Sequence, residues 1–154
     1  MSILIVEDNK TDVAGIVLQC SARGWEYEVC PTFWLAAERL VDCSRSYSLV
    51  VLDTILPWGE QVPDVVINNY PNERAGLYLL QAMRECGDGA VIMSTMDLSP
   101  MNMRHVGTRV LVLSRLLDIE EECKNLDVLR YYTKIDYSFR EFIALVEGVI
   151  GDGL

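Results

Sequence analysis

Asp53 closes the apolar run Tyr47-Ser48-Leu49-Val50-Val51-Leu52, and three further strand-like runs end in Glu7-Asp8, Thr95 and Lys134. Carboxylates, a hydroxyl and an ammonium are the groups that phosphoryl transfer uses. Acids hold a cation or attack phosphorus, and donors neutralise the charge on the transferred oxygens. Taken singly, each residue has an ordinary explanation. Glu7 and Asp8 suit an acidic helix start, Lys134 a solvated surface and Thr95 a helix cap. Their shared placement makes them a set.

The elements that must position them are short. Ile3 to Val6, Leu49 to Leu52, Val91 to Met93 and Leu129 to Tyr132 are rich in β-branched or aromatic residues and bounded by polar ones, as buried parallel strands are. In open parallel α/β sheets, ligands bind beyond the carboxyl ends of the strands. Acids from the first and third strands, the hydroxyl of Thr95 from the fourth and the ammonium of Lys134 from the fifth should therefore share one pocket.

Helical signals alternate with these runs. Val13, Ile16, Val17 and Cys20 recur at helical spacing before Gly24, a C-terminal stop. Trp25 to Val29 alternates large apolar with acidic residues, as an edge strand does. Phe33 to Val41 and Leu77 to Arg84 read as helices. Ser138 stands three residues before Glu141, at capping-box spacing, ahead of Phe142, Ile143, Val146 and Ile150. Right-handed crossovers between such elements give a doubly wound, five-stranded parallel sheet of flavodoxin-like type.

Half of the 154 residues are hydrophobic, enough for one continuous core in a single domain spanning 1–154. With 23 acidic against 13 basic residues the formal charge is -10. That charge repels nucleic acid and anionic lipid, and leaves a protein as the expected partner. No apolar stretch reaches the roughly 20 residues that span a bilayer, and Ile3 to Val6 is too short for a signal peptide, so a cytoplasmic protein without membrane insertion is expected. Cys20, Cys30, Cys43, Cys86 and Cys123 are odd in number and lack C-x-x-C spacing, which predicts free thiols in a reducing compartment.

Ile3-Leu4-Ile5-Val6-Glu7-Asp8-Asn9, Leu52-Asp53-Thr54-Ile55-Leu56-Pro57, Ala75-Gly76-Leu77, Val91-Ile92-Met93-Ser94-Thr95 and Tyr131-Tyr132-Thr133-Lys134 together resemble the receiver domain of two-component response regulators. The resemblance runs from Ile3 to about Ile150. It implies that Asp53 is a phosphoacceptor, a nucleophile taking a phosphoryl group from phosphohistidine or a small acyl phosphate. It implies Mg2+ held by Asp8, Asp53 and the carbonyl of Ile55, with Glu7 helping directly or through water. Lys134 and Thr95 would contact the phosphoryl oxygens, and Thr95 and Tyr131 would act as the switch pair that alters a signalling surface. The implied partners are a sensor histidine kinase or phosphotransfer protein and a downstream protein target, with a homodimer possible.

The pattern also departs from the family. Lys134 is followed by Ile135, where receivers usually carry proline. Met96 follows Thr95, where a small residue is usual, and its bulk would shield the phosphoryl group and slow turnover. The chain is expanded at about 58–74 and 97–127. The first expansion, carrying Trp58, Val65, Val66, Ile67 and Tyr70, reads as an ordered flap beside Asp53 or else as a packed structural excursion. The second reads as a long fourth helix, with Val110 to Leu113 as an alternative added strand. His105 falls outside the matched motifs. Gly151 to Leu154 is too short for a linker, so no output domain is expected.

A stand-alone receiver signalling by protein contacts in a phosphorelay fits best, a phosphoacceptor and not an enzyme acting on a separate substrate. The alternative is a receiver-derived binding module that works without phosphorylation. A hydrolase with an aspartyl nucleophile fits poorly, because Asp53-Thr54-Ile55 lacks a second aspartate two residues on.

Overall fold

The computed structural model describes residues 2–42, 44–98, 107–135 and 138–152. Five strands, β1 (Ser2–Val6), β2 (Glu26–Cys30), β3 (Leu49–Leu52), β4 (Val110–Ser114) and β5 (Arg130–Thr133), form one sheet of order β2-β1-β3-β4-β5. Every pairing is parallel. The central strands β1, β3 and β4 are buried on both faces, hence their unbroken apolar runs, whereas the edge strand β2 exposes Glu26, Tyr27 and Val29.

Helix α1 (Lys10–Arg23) starts where the Asn9 side chain accepts from the N–H groups of Thr11 and Asp12, and it ends at Gly24 in the left-handed region. It lies on one face of the sheet with the last helix, α7 (Phe139–Asp152), whose first turn is capped by the Ser138 hydroxyl accepting from Glu141 N–H at 3.3 Å. Ile3, Ile5, Val51 and Leu111 meet Ile16, Phe142 and Val146 there. The other face carries α2 (Phe33–Val41), α3 (Asp64–Asn69), α4 (Ala75–Met83), α5 (Gly87–Thr95) and α6 (Glu120–Asn125). The expansions therefore load one side of the sheet.

Two expectations are corrected here. Val91 to Met93 is not the fourth strand but part of α5, where Gly89, then Ile92, Met93 and the C-cap residue Met96 three, four and seven positions on, are buried. That is the period of a helix face. The fourth strand is Val110–Ser114, with all five residues buried. The run read as an alternative added strand is thus one of the five, and among the described residues of 97–127 the helical part of the expected long helix is α6. His105 and Cys43 lie outside the described residues.

Helix α4 is apolar nearly all round because it is covered nearly all round. Of its nine residues only Gln81 is not buried. Helix α5 packs directly on it, and the closeness depends on Gly89, where a Cβ would stand 1.9 Å from the Tyr78 carbonyl oxygen. Gln81 completes the junction by accepting from Gly89 N–H at 2.8 Å.

The segment after Asp53 packs as a structural excursion. Trp58 is buried, stacked on Tyr78 and tilted against Phe33, while Val62 and Val66 enter the same core. The carbonyls of Pro57 and Trp58 accept from Phe33 and Trp34 N–H and so satisfy the start of α2. The expected flap does not cover Asp53. Among the described residues no helix is long and apolar enough to cross a membrane, and Cys20, Cys30, Cys86 and Cys123 are free thiols.

Candidate functional site

The carboxyl ends of β1, β3 and β5 deliver Glu7 and Asp8, Asp53 and Lys134 to one cleft of about 340 Å³, lined by Asp8, Asn9, Asp53, Ile55, Arg115 and Lys134. Glu7 and Asp53 are buried, and Asp8 is exposed at the mouth. The Asp53 carboxylate is fixed from two sides. Its Oδ1 accepts from the backbone N–H groups of Thr54 at 2.8 Å and Ile55 at 3.4 Å, and its Oδ2 accepts from Lys134 Nζ at 3.2 Å.

Lys134 is the cation at the centre of the acids. Its Nζ lies 2.7 Å from Glu7 Oε2, 2.9 Å from Asp12 Oδ2 and 3.2 Å from Asp53 Oδ2, with a side chain only 6% exposed. Burial opposes its charge, but the Glu7 hydrogen bond and the Asp53 charge outweigh burial and hold it above the usual lysine range. Lys134 N–H donates to the Ser114 carbonyl at 2.7 Å, which ties the lysine to the end of β4. No cis peptide occurs among the described residues, so the turn at Lys134-Ile135 is made without one.

Glu7 feels the crowding most. Burial and then the neighbouring Asp53 charge push its carboxyl up to about 8, against the pull of hydrogen bonds from Lys134 and from Asn9 N–H. Glu7, Asp8 and Asp53 each offer an oxygen, all within 4.8 Å of one another. This hard, all-oxygen donor set suits a divalent cation such as Mg2+, which would relieve the repulsion.

Five of the seven expected site residues, Glu7, Asp8, Asp53, Ile55 and Lys134, are brought together. Tyr131 stands on β5 nearby, half-buried against the core, and its hydroxyl donates to the Leu116 carbonyl. Thr95 is not in the site. It ends α5, with its hydroxyl donating to the Val91 carbonyl at 2.9 Å, as a helical threonine does. The hydroxyl at the end of β4 belongs to Ser114, and the next residue is the exposed Arg115, not Met96, which is buried beyond α5. Shielding by Met96 therefore falls away.

Sequence reasoning missed Asp12, Thr54, Ser114 and Arg115. Asp12 could have been found as a third acid in the first turn of α1, and Ser114 as the polar residue closing the β-branched apolar run Val110-Leu111-Val112-Leu113.

The strand order β2-β1-β3-β4-β5, the all-parallel pairing and the position of this cleft are those of the receiver fold. The sequence matches no known family and no curated protein. Solved structures match over nearly the whole chain. A Francisella response-regulator receiver domain is 19% identical with a TM-score of 0.65, over 99% of this chain and 98% of its own. The response regulatory domain of MrkE from Klebsiella pneumoniae is 12% identical with a TM-score of 0.64, over 99% and 97%. The receiver domain of a Pseudomonas aeruginosa sensor histidine kinase, with a magnesium ion coordinated in its active-site cleft, is 16% identical with a TM-score of 0.61, over 97% of each.

Proposed function

We propose that this chain is a response-regulator-like phosphoacceptor in which Asp53 receives a phosphoryl group from the phosphohistidine of a sensor kinase or phosphotransfer protein, or from a small acyl phosphate. The observation that carries this reading is the buried Lys134 ammonium shared between Asp53 and Glu7 at the strand ends. One carboxylate oxygen of Asp53 forms the new P–O bond as the bond from phosphorus to the donor breaks, and the electron pair leaves with the donor. Mg2+ held by Asp8, Asp53 and the carbonyl of Ile55, with Glu7 directly or through water, would neutralise part of the charge on the phosphoryl oxygens.

The backbone N–H groups of Thr54 and Ile55 orient the nucleophile, and Lys134 supplies a fixed positive charge beside it. Ser114 takes the switch role that Thr95 was expected to fill. Arg115 at the rim adds a second cation facing an incoming donor. The readout runs through Leu116, whose N–H donates to Ser114 and whose carbonyl accepts from Tyr131, so a shift of the serine bears on the aromatic of β5 and on any protein docked there.

Intact-mass analysis after incubation with Mg2+ and acetyl phosphate tests the proposal. One phosphoryl adduct is expected on the native chain and none on Asp53→Asn. Equal labelling of the two would sink the assignment of Asp53, and a native chain that stays unlabelled by both acetyl phosphate and a phosphorylated histidine donor would sink the function.

A further inference from the structure

Thr54 and Ser114 are both fully buried, and their hydroxyls are hydrogen-bonded to each other at the ends of β3 and β4. Neither lines the acid cleft. Each hydroxyl carries one proton and can accept two. Ser114 Oγ already accepts from Leu116 N–H at 3.0 Å.

Two arrangements of the pair are possible. If Ser114 donates to Thr54, the Thr54 proton is left in a dry interior where, among the described residues, no other acceptor meets it, and an unmet buried donor is costly. If Thr54 donates to Ser114, both acceptor sites of the serine are filled and its own proton remains to be given away. Within the resting pair each arrangement leaves one proton unmet, but once a phosphoryl oxygen on Asp53 offers an acceptor to Ser114, only the second satisfies both hydroxyls.

We infer that Thr54 is a positioning residue that fixes Ser114 as a hydrogen-bond donor toward a phosphoryl oxygen on Asp53. Ser114 is placed for that, since β4 lies between the strand that ends in Asp53 and the strand that ends in Lys134, and its carbonyl accepts from Lys134 N–H. With the serine oxygen saturated by two donors, its hydroxyl need not choose between resting partners and the phosphoryl group. The residue beside the acceptor aspartate thus sets the aim of a side chain sixty positions away. The inference rests on the phosphoacceptor reading of Asp53.

The test compares native chain, Thr54→Val, Thr54→Ser, Ser114→Ala and the double variant Thr54→Val/Ser114→Ala. The readouts are affinity for beryllofluoride in Mg2+ and the labelling rate with acetyl phosphate. Thr54→Val keeps the shape and removes the donor, and should weaken beryllofluoride binding about tenfold, while Thr54→Ser restores it to within about twofold. In the Ser114→Ala background, Thr54→Val should cost nothing further, because the proton it aims is gone. Native-like binding by Thr54→Val, the same loss in both backgrounds, or failure of Thr54→Ser to restore binding would overturn the role. Should Thr54→Val fail to fold, Thr54→Ala takes its place in the same comparison. A native chain that takes neither label nor mimic overturns the underlying function as well, whereas a responsive native chain with an unaffected Thr54 variant overturns this assignment alone.

Discussion

Lys134 is the residue on which the acid cleft depends. Buried ion pairs give little net stability when complete, yet removing one partner leaves uncompensated charge. Lys134→Met abandons Glu7, Asp12 and Asp53 together and should destabilise the metal-free chain by about 3 kcal/mol or more in urea unfolding. Asp53→Asn removes one of the crowded charges and keeps an oxygen for the Thr54 and Ile55 N–H groups, so the same measurement should find it as stable as the native chain or more so. The buried thiols give a second residue-scale expectation. Burial pushes Cys30 and Cys123 up to about 11, so they stay protonated in the fold while they ionise near pH 9 when unfolded. The fold then holds more protons than the unfolded chain between about pH 9 and 11, and stability should fall there by up to about 1.4 kcal/mol per pH unit for each thiol. Serine replacements would flatten that slope, and at pH 8 iodoacetamide should reach the exposed Cys86 before Cys20, Cys30 or Cys123.

At the scale of elements, close backbone approach holds the expanded face together. A Cβ on Gly76 would lie 2.0 Å from the Asp53 carbonyl oxygen and 2.6 Å from Thr54 Cα, and one on Gly89 would strike the Tyr78 carbonyl. Backbone cannot give way as a side-chain tip can. Gly76→Ala and Gly89→Ala should each cost about 3 kcal/mol by thermal unfolding, but only Gly76→Ala should also disturb labelling at Asp53. The sequence was most legible where one period prevailed. Helices α1, α2 and α7 and strands β1 and β3 lie where their apolar spacing and caps place them. Val91 to Met93 misled because three apolar residues in a row fit a buried strand and a buried helix equally, and only the wider spacing of Gly89, Ile92 and Met96 separates the two. That misreading carried Thr95 into the site in place of Ser114. Asp12 and Thr54 were hidden for another reason. Their partners, Lys134 and Ser114, are far away in the chain, and local spacing does not encode long-range pairing.

For the whole molecule, charge and metal dominate. The chain carries a formal charge of -10, and Glu7, Asp8, Asp12 and Asp53 gather at one end of the sheet around Lys134. Divalent cations should therefore act as ligands of the folded state. Mg2+ at ten times its Kd adds about 1.4 kcal/mol, or a rise of about 3–6 °C in Tm, that equal ionic strength of NaCl should not reproduce and Asp8→Asn should largely abolish. Differential scanning calorimetry decides it. A final consequence follows from α4 lying between the sheet and α5. Its backbone amides are screened on both sides, so deuterium reaches them only when α5 lifts away or the entire chain opens. In a time course of isotope uptake α4 should be among the last helices to label, and loosening α5 with Gly89→Ala should advance α4 selectively while the central strands keep their slow clock.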